Sequence, residues 1–152
     1  MSEQSFGGPY VQVAVICATP LIEQQGNLSI IRIQDRIQIA GQTEQMRPQP
    51  LHNLSLVIVL KAGEMKGKFS VHITPITPSG KELASVELPV LFEGEERGVV
   101  IAIPVAVVAE EEGLYWFNIS MEGAPLTRIP LRVMYQRMQV PFGMFQPPPP
   151  SD

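Results

Sequence analysis

Hydrophobic and polar residues alternate along most of this chain, and the alternation is clearest between Glu112 and Tyr135. A turn sequence, Glu122-Gly123-Ala124-Pro125, divides this stretch into two halves. Apolar residues occupy every second position in both halves: Tyr115, Phe117, Ile119 and Met121 before the turn, and Ile129, Leu131, Val133 and Tyr135 after it. A period of two on both sides of a turn predicts a β-hairpin with one buried face.

The rest of the chain predicts six further strands and a short additional one. The six strands are expected over residues 10–18, 28–33, 51–62, 69–74, 83–92 and 99–108, and residues 37–40 form either a short strand or a helical turn. Pro89 indicates an edge strand, and Pro104 indicates a strand that bends or stops, because proline has no N–H to donate. No convincing amphipathic helix is present. The pattern predicts an all-β fold, an antiparallel sandwich of two sheets with eight or nine strands.

The same pattern divides the chain into three parts. Residues 1–9 form a polar, glycine-rich arm, residues 10–137 form the sandwich domain, and residues 138–152 form a tail. The tail is first apolar and then contains four consecutive prolines, which favour a stiff polyproline II segment. Two interpretations of the tail remain open. It is a disordered terminus, or Val140 to Phe145 docks on its own sandwich or on a neighbouring subunit and covers apolar side chains that would otherwise favour aggregation.

Composition and charge narrow the class of partner. Charged residues make up 17% of the chain, below the usual ~25%, which favours an assembly surface. The net charge is −4 and no Lys/Arg cluster is present, so a nucleic-acid partner is not expected. The sequence contains neither a recognisable signal peptide nor an apolar run of membrane-spanning length. We therefore expect a cytoplasmic protein with no membrane span.

Few residues suggest chemistry. Cys17 is the only cysteine and lies in an apolar run, so a buried, inert thiol is expected, with a reactive thiol as the alternative. His52 and His72 lack the spacing of zinc ligands. The acidic runs 93–96 and 110–112 are expected to be solvated turns, and they would suggest calcium only if they met at one end of the sandwich. The sequence thus predicts no catalytic residues, no metal and no cofactor, and a protein that is not an enzyme.

Several short motifs occur in an order that is found in a known family. They are an apolar strand ending near a cysteine (Val13 to Cys17), Gly26 to Ile30, a polar glycine turn (Pro78 to Gly80), Gly113 to Phe117, and Pro130 to Val133. In this order the chain resembles an uncharacterised bacterial family of small single-domain immunoglobulin-like β-sandwich proteins, over roughly residues 10–135. The resemblance implies an immunoglobulin-like fold. It implies no activity, so no functional residues are carried over.

These observations lead to two hypotheses on function. The first is a non-catalytic protein-interaction or assembly module that self-associates, with another protein as the alternative partner. The residues expected at its interaction surface are Val57, Val59, Leu114, Trp116, Phe142, Met144 and Phe145. The second hypothesis is a small-ligand or carbohydrate-binding sandwich that uses Trp116 and Tyr10 as stacking platforms.

Overall fold

The computed structural model describes residues 7–138, which contain eleven strands and no helix. The strands are β1 (Tyr10–Ile22), β2 (Leu28–Ile33), β3 (Arg36–Gly41), β4 (Gln49–Pro50), β5 (Ser55–Lys61), β6 (Lys66–Ile76), β7 (Val86–Glu93), β8 (Gly98–Pro104), β9 (Val108–Ala109), β10 (Gly113–Met121) and β11 (Ala124–Arg137). The first sheet has the order β2-β1-β5-β8, and the second has the order β3-β11-β10-β6-β7. The two-residue strands β4 and β9 form a small third pair.

The core lies between the two large sheets and is built as the period-two pattern predicts. Leu56, Ile58 and Leu60 on β5 point into it, as do the buried residues of the β10–β11 hairpin. Val57 and Val59 do not belong to the core cluster, because alternate residues of a strand point to opposite faces. Strand β5 therefore carries apolar side chains on both of its faces. The fold is an all-β, immunoglobulin-like sandwich.

The hairpin that dominates the sequence pattern closes through a two-residue turn. Met121 pairs with Ala124, which leaves Glu122 and Gly123 as the loop. Their φ angles are +48° and +81°. Positive φ at both central residues is the geometry of a type I′ turn, whose twist matches that of the flanking strands. Glycine adopts this conformation without a steric penalty, so the sequence favours the turn at this point.

Within residues 7–138, strand β3 is the one element that departs from an antiparallel pattern. It is a strand rather than a helical turn, and it pairs in parallel with β11. After β2 the chain leaves the first sheet, reverses near Asp35 and joins the edge of the second sheet. A partner almost one hundred residues later in the chain then sets the pairing direction, and no local pattern can predict it. The proline predictions are confirmed, since β7 with Pro89 is an edge strand and β8 ends at Pro104.

The strand directions define two ends of the sandwich, called here the Tyr10 end and the Ile22 end after the two ends of β1. Lys61 pairs with both Tyr10 and Gly98, so the acidic turn before Gly98 lies at the Tyr10 end. The acidic residues 110–112 precede β10 and lie at the Ile22 end. The two acidic runs do not meet, so the condition for a shared calcium site is not fulfilled.

Candidate interaction surface

The outer face of the first sheet is apolar over several consecutive rows. Cross-strand register places Val15, Val57 and Ala102 in one row. The next row toward the Tyr10 end consists of Val13, Val59 and Val100. Directly opposed residues of a sheet share a face, so both rows point away from the core. The outer face of a sheet in a two-layer sandwich usually carries polar side chains, so these apolar rows depart from the usual arrangement.

The pairing of β1 with β2 extends this face toward the Ile22 end. Cys17 faces Ile33, Thr19 faces Ile31, and Leu21 faces Ser29. Three of these side chains are well exposed: Leu21 by 46%, Ile31 by 47% and Ile33 by 63%. We call the whole surface the outer apolar face, and its apolar members are Val13, Val15, Cys17, Leu21, Ile31, Ile33, Val57, Val59, Val100 and Ala102.

The structure brings only some of the predicted surface residues together. Val57 and Val59 lie on the outer apolar face, but they are nearly inaccessible, at 0% and 8% exposure. Leu114 and Trp116 lie on the outer face of the second sheet, on the opposite side of the molecule. The other predicted members, Phe142, Met144 and Phe145, lie outside the described residues.

Sequence reasoning did not single out Ile31 and Ile33, which are the most exposed members of this face together with Leu21. The signal was present in β2, whose sequence Leu-Ser-Ile-Ile-Arg-Ile places isoleucine on both faces. A strand with one solvated face would alternate apolar with polar residues. The break in the apolar–polar alternation of β2, and not its apolar character alone, indicates that its outward side chains belong to the outer apolar face.

The outer face of the second sheet is more polar, and its tryptophan is already occupied. The guanidinium carbon of Arg128 lies 4.0 Å from the centroid of the Trp116 ring, a cation–π arrangement. Tyr10, the other predicted stacking residue, belongs to the first sheet, where its hydroxyl donates a 2.8 Å hydrogen bond to Glu96. The two aromatic side chains therefore do not form a common platform, and Arg128 covers a face of Trp116 that a sugar would need.

Cys17 and the two histidines lie on three different elements of the fold: β1, the loop before β5, and β6. Cys17 is fully buried on β1, and burial raises the pKa of its thiol, which opposes the reactive thiolate form. His72 lies on β6 in the second sheet with Glu87 4.0 Å away, and His52 is an exposed loop residue. Among residues 7–138, no group of three potential ligands could hold a metal ion.

A cavity of about 480 Å³ with a mixed polar and apolar lining lies at the Ile22 end, beside the acidic residues 110–112. The hydroxyl and the backbone N–H of Ser79 donate hydrogen bonds of 2.8 Å and 3.2 Å to the Glu111 carboxylate. Both bonds lower the pKa of Glu111 below its usual value, and the bond from the hydroxyl has the larger effect. The two bonds connect the turn at residues 77–80 to the loop before β10. The Glu111 carboxylate therefore has a structural role in holding these two loops together.

Comparison with known proteins identifies the family. A family model described as a family of unknown function, DUF6941, matches residues 12–134. The chain belongs to DUF6941. This agrees with the resemblance to an uncharacterised family of immunoglobulin-like proteins. Because the function of the family is unknown, membership does not indicate an activity. No curated protein sequence matches the chain.

Two solved structures share a distant similarity with this DUF6941 member. An immunoglobulin-like protein from Pseudomonas aeruginosa is 11% identical, with a TM-score of 0.42, and the match covers 86% of this chain and 99% of that protein. A β-glucosidase from Listeria innocua is 13% identical, with a TM-score of 0.39, and the match covers 70% of this chain and 15% of the enzyme.

Residues 7–138 include no helix of the length and apolarity that crossing a membrane requires.

Proposed function

We propose that this protein is a non-catalytic interaction module that self-associates by packing the outer apolar faces of two copies against each other. The observation that carries the proposal is the continuous set of apolar rows on a face that lies outside the core. Its exposed members Leu21, Ile31 and Ile33 form an apolar cluster, and exposed apolar clusters mark interaction sites.

The energetics favour burial of the exposed part of this face. Ile31 and Ile33 lie two residues apart on β2, and both project outward with about half or more of their surface exposed. Fully burying one such side chain contributes roughly 1.5–3 kcal/mol. Val57 and Val59 lie two strands away on β5 and are already buried, so the surface that a partner would bury is that of the exposed side chains Leu21, Ile31 and Ile33.

A second copy of the chain is the partner that this face fits. A two-fold dimer places the same patch on both sides of its interface, so an uncharged patch meets no like charge. Along β1 the face extends from Val13 to Leu21, with β2 beside it toward the Ile22 end and β5 and β8 beside it toward the Tyr10 end. Its exposed side chains Leu21, Ile31 and Ile33 cluster on β1 and β2, where a second copy would cover them.

Size-exclusion chromatography with light scattering tests the proposal on the full chain. Ile33→Asp places a charge on the outer apolar face at an exposed position, so the fold should tolerate it while the dimer dissociates. Leu91→Asp is the matched control, because Leu91 is 53% exposed on the edge strand β7 of the other sheet. We expect the wild type and Leu91→Asp to be dimers and Ile33→Asp to be a monomer.

Two outcomes would overturn the proposal. The first is a wild-type chain that stays monomeric at the highest accessible concentration. The second is a dimer that both substitutions leave unchanged, since its interface would then lie elsewhere. If the wild type instead forms a complex with a different protein, and Ile33→Asp abolishes that complex, the outer apolar face is an interaction surface but its partner is not a second copy of the chain.

A further inference from the structure

A cleft on the flank of the sandwich is lined by β3 and by residues 49–54, which lead into β5. Its volume is about 680 Å³, within the range of pockets that bind small molecules. Ile37 and Ile39 of β3, together with Leu51 and Leu54, give it an apolar part. The remaining lining is mostly polar, and the described residues that line it include no aspartate or glutamate. We call this surface the β3 cleft.

Two arginines bring positive charge to the β3 cleft, Arg32 from β2 and Arg36 from the start of β3. Arg32 lies between Ile31 and Ile33, which belong to the outer apolar face, and it lines the cleft instead. Within the part of the chain that the structure describes, its guanidinium makes no hydrogen bond or ion pair. Its five N–H donors are therefore available to a ligand.

The charge of Arg36 is only partly compensated. Its Nε donates a 3.3 Å hydrogen bond to the Asp35 carboxylate, and both side chains are exposed, so the pair contributes little. The parallel register places Arg36 directly beside Arg132 of β11. Like charges at directly opposed positions of a sheet repel each other, and Asp35 neutralises one of the two. An anion bound at this flank would relieve the remaining repulsion.

The wall formed by residues 51–54 is fixed in place by the fold. Backbone hydrogen bonds of 2.8 Å and 2.9 Å connect its two ends to residues 105–107, and its end residues Leu51 and Leu54 are buried. His52 and Asn53, between these anchors, are exposed and line the cleft. The cleft is therefore largely pre-formed, as small-molecule sites usually are.

Two residues of the lining have a strained backbone. The φ angles of Arg32 and Asn53 are +57° and +58°, in the left-handed region that residues with a side chain seldom adopt. Asparagine tolerates this conformation better than most residues, whereas arginine gains nothing from it locally. Such conformations cluster at ligand sites, where the surrounding structure holds a side chain in a required position.

We propose that the β3 cleft binds a small organic anion whose phosphate or carboxylate group is held by Arg32 and Arg36. The planar fork of a guanidinium matches the oxygens of both groups. Gln34, Gln49 and Asn53 also line the cleft, and their amides supply donors and acceptors for a polar ligand body. The apolar part of the cleft covers the carbon atoms of the ligand.

The size and charge of the molecule restrict the ligand further. Inorganic phosphate would fill a small part of a 680 Å³ cleft and would leave the apolar part in contact with water. A long polyanion such as a nucleic acid would also meet the surrounding surface of a chain whose net charge is −4. This inference does not depend on the proposed function, because the β3 cleft and the outer apolar face share no residue.

Isothermal titration calorimetry on the full chain tests the proposal in a buffer free of phosphate and carboxylate. The probes are inorganic phosphate, citrate, glucose 6-phosphate and adenosine monophosphate. At least one of the three organic anions should bind at one site per chain and at least about tenfold more tightly than inorganic phosphate, a tenfold step in the dissociation constant. Preference for citrate would indicate a carboxylate ligand, and preference for either phosphate ester would indicate an organic phosphate.

Arg32→Gln and Arg36→Gln should each weaken the best probe by about tenfold or more, because each removes charged hydrogen bonds to the anion. Arg97→Gln is the matched control, since it changes the net charge equally at the Tyr10 end and should leave binding unchanged. Melting temperatures show whether the variants are folded. NMR of the wild type locates the site without a substitution: the best probe should shift the amide signals of β3 and of residues 49–54, and not those of residues 94–97.

Three results would overturn the inference. In the first, no organic probe binds more tightly than inorganic phosphate. In the second, the shifted amide signals lie outside β3 and residues 49–54. In the third, the folded variants Arg32→Gln and Arg36→Gln bind the best probe as the wild type does, or Arg97→Gln weakens it as strongly as they do, which would indicate a response to net charge alone.

Discussion

The hydroxyl of Tyr115 donates a 2.8 Å hydrogen bond to the backbone carbonyl of Glu111, four residues earlier in the chain. Tyr115 is fully buried near the start of β10, so the bond anchors an exposed loop to the core. A tyrosine that bonds back to the backbone before its own strand is the tyrosine corner of immunoglobulin-like domains. The bond connects β10, which has the clearest alternation in the sequence, to the loop at the Ile22 end.

Tyr115→Phe should lower the free energy of unfolding by roughly 1–1.5 kcal/mol. The substitution removes the bond to the Glu111 carbonyl and the longer 3.4 Å bond that the Glu111 N–H donates to the hydroxyl, while the ring and its packing are kept. Urea unfolding of the two proteins measures the difference. Tyr10→Phe is the control, because the Tyr10 hydroxyl bonds an exposed glutamate, and a change within about 0.5 kcal/mol is expected there. Equal effects at the two tyrosines would contradict the anchoring role of Tyr115.

Phe117→Ala and Leu131→Ala should each cost roughly 2–5 kcal/mol of unfolding free energy. Both side chains are buried in the core, at 2% and 0% exposure, and each truncation leaves a cavity. Arg132→Ala, next to Leu131 on the opposite and exposed face, should cost no more than about 0.5 kcal/mol. Urea unfolding with a common slope checks all three variants. Similar losses at Leu131 and Arg132 would refute the assignment of faces.

Ser79→Ala should destabilise the protein at neutral pH, and its effect should diminish in acid. The hydroxyl of Ser79 lowers the pKa of Glu111 in the folded state. A lowered pKa contributes stability above the unfolded-state value, near about 4.3 for glutamate, and this contribution is lost as the pH falls through the folded-state value. Urea unfolding of both proteins at pH 7 and pH 3 measures the change in their difference.

Ser85→Ala is the control for that pH series. The Ser85 hydroxyl lies 2.6 Å from the hydroxyl of Thr74, and no carboxylate takes part in the bond. The difference between the wild type and Ser85→Ala should therefore be the same at both pH values. A Ser79→Ala effect that is equally independent of pH would show that the bond to Glu111 does not carry it.

Local patterns in the sequence predicted most strands and their inward faces, but they ended the first strand at residue 18 instead of Ile22 and missed the short strands β4 and β9. The alternation from Tyr115 to Met121 predicts which side chains of β10 are buried, because side chains of a strand point alternately to its two faces and one face packs against the core. The glycine at position 123 predicts the hairpin turn, because the turn requires positive φ. The prolines at 89 and 104 predict an edge and a strand end for an equally local reason, the missing N–H.

The sequence alone could not establish which surfaces meet, and this determined the candidate site. Val57 and Trp116 are both outward residues, but they lie on different sheets, and only the strand order separates them by the thickness of the sandwich. The parallel pairing of β3 with β11 joins residues almost one hundred positions apart. Period and propensity act over a few neighbouring residues, whereas register and sheet order depend on packing between distant segments.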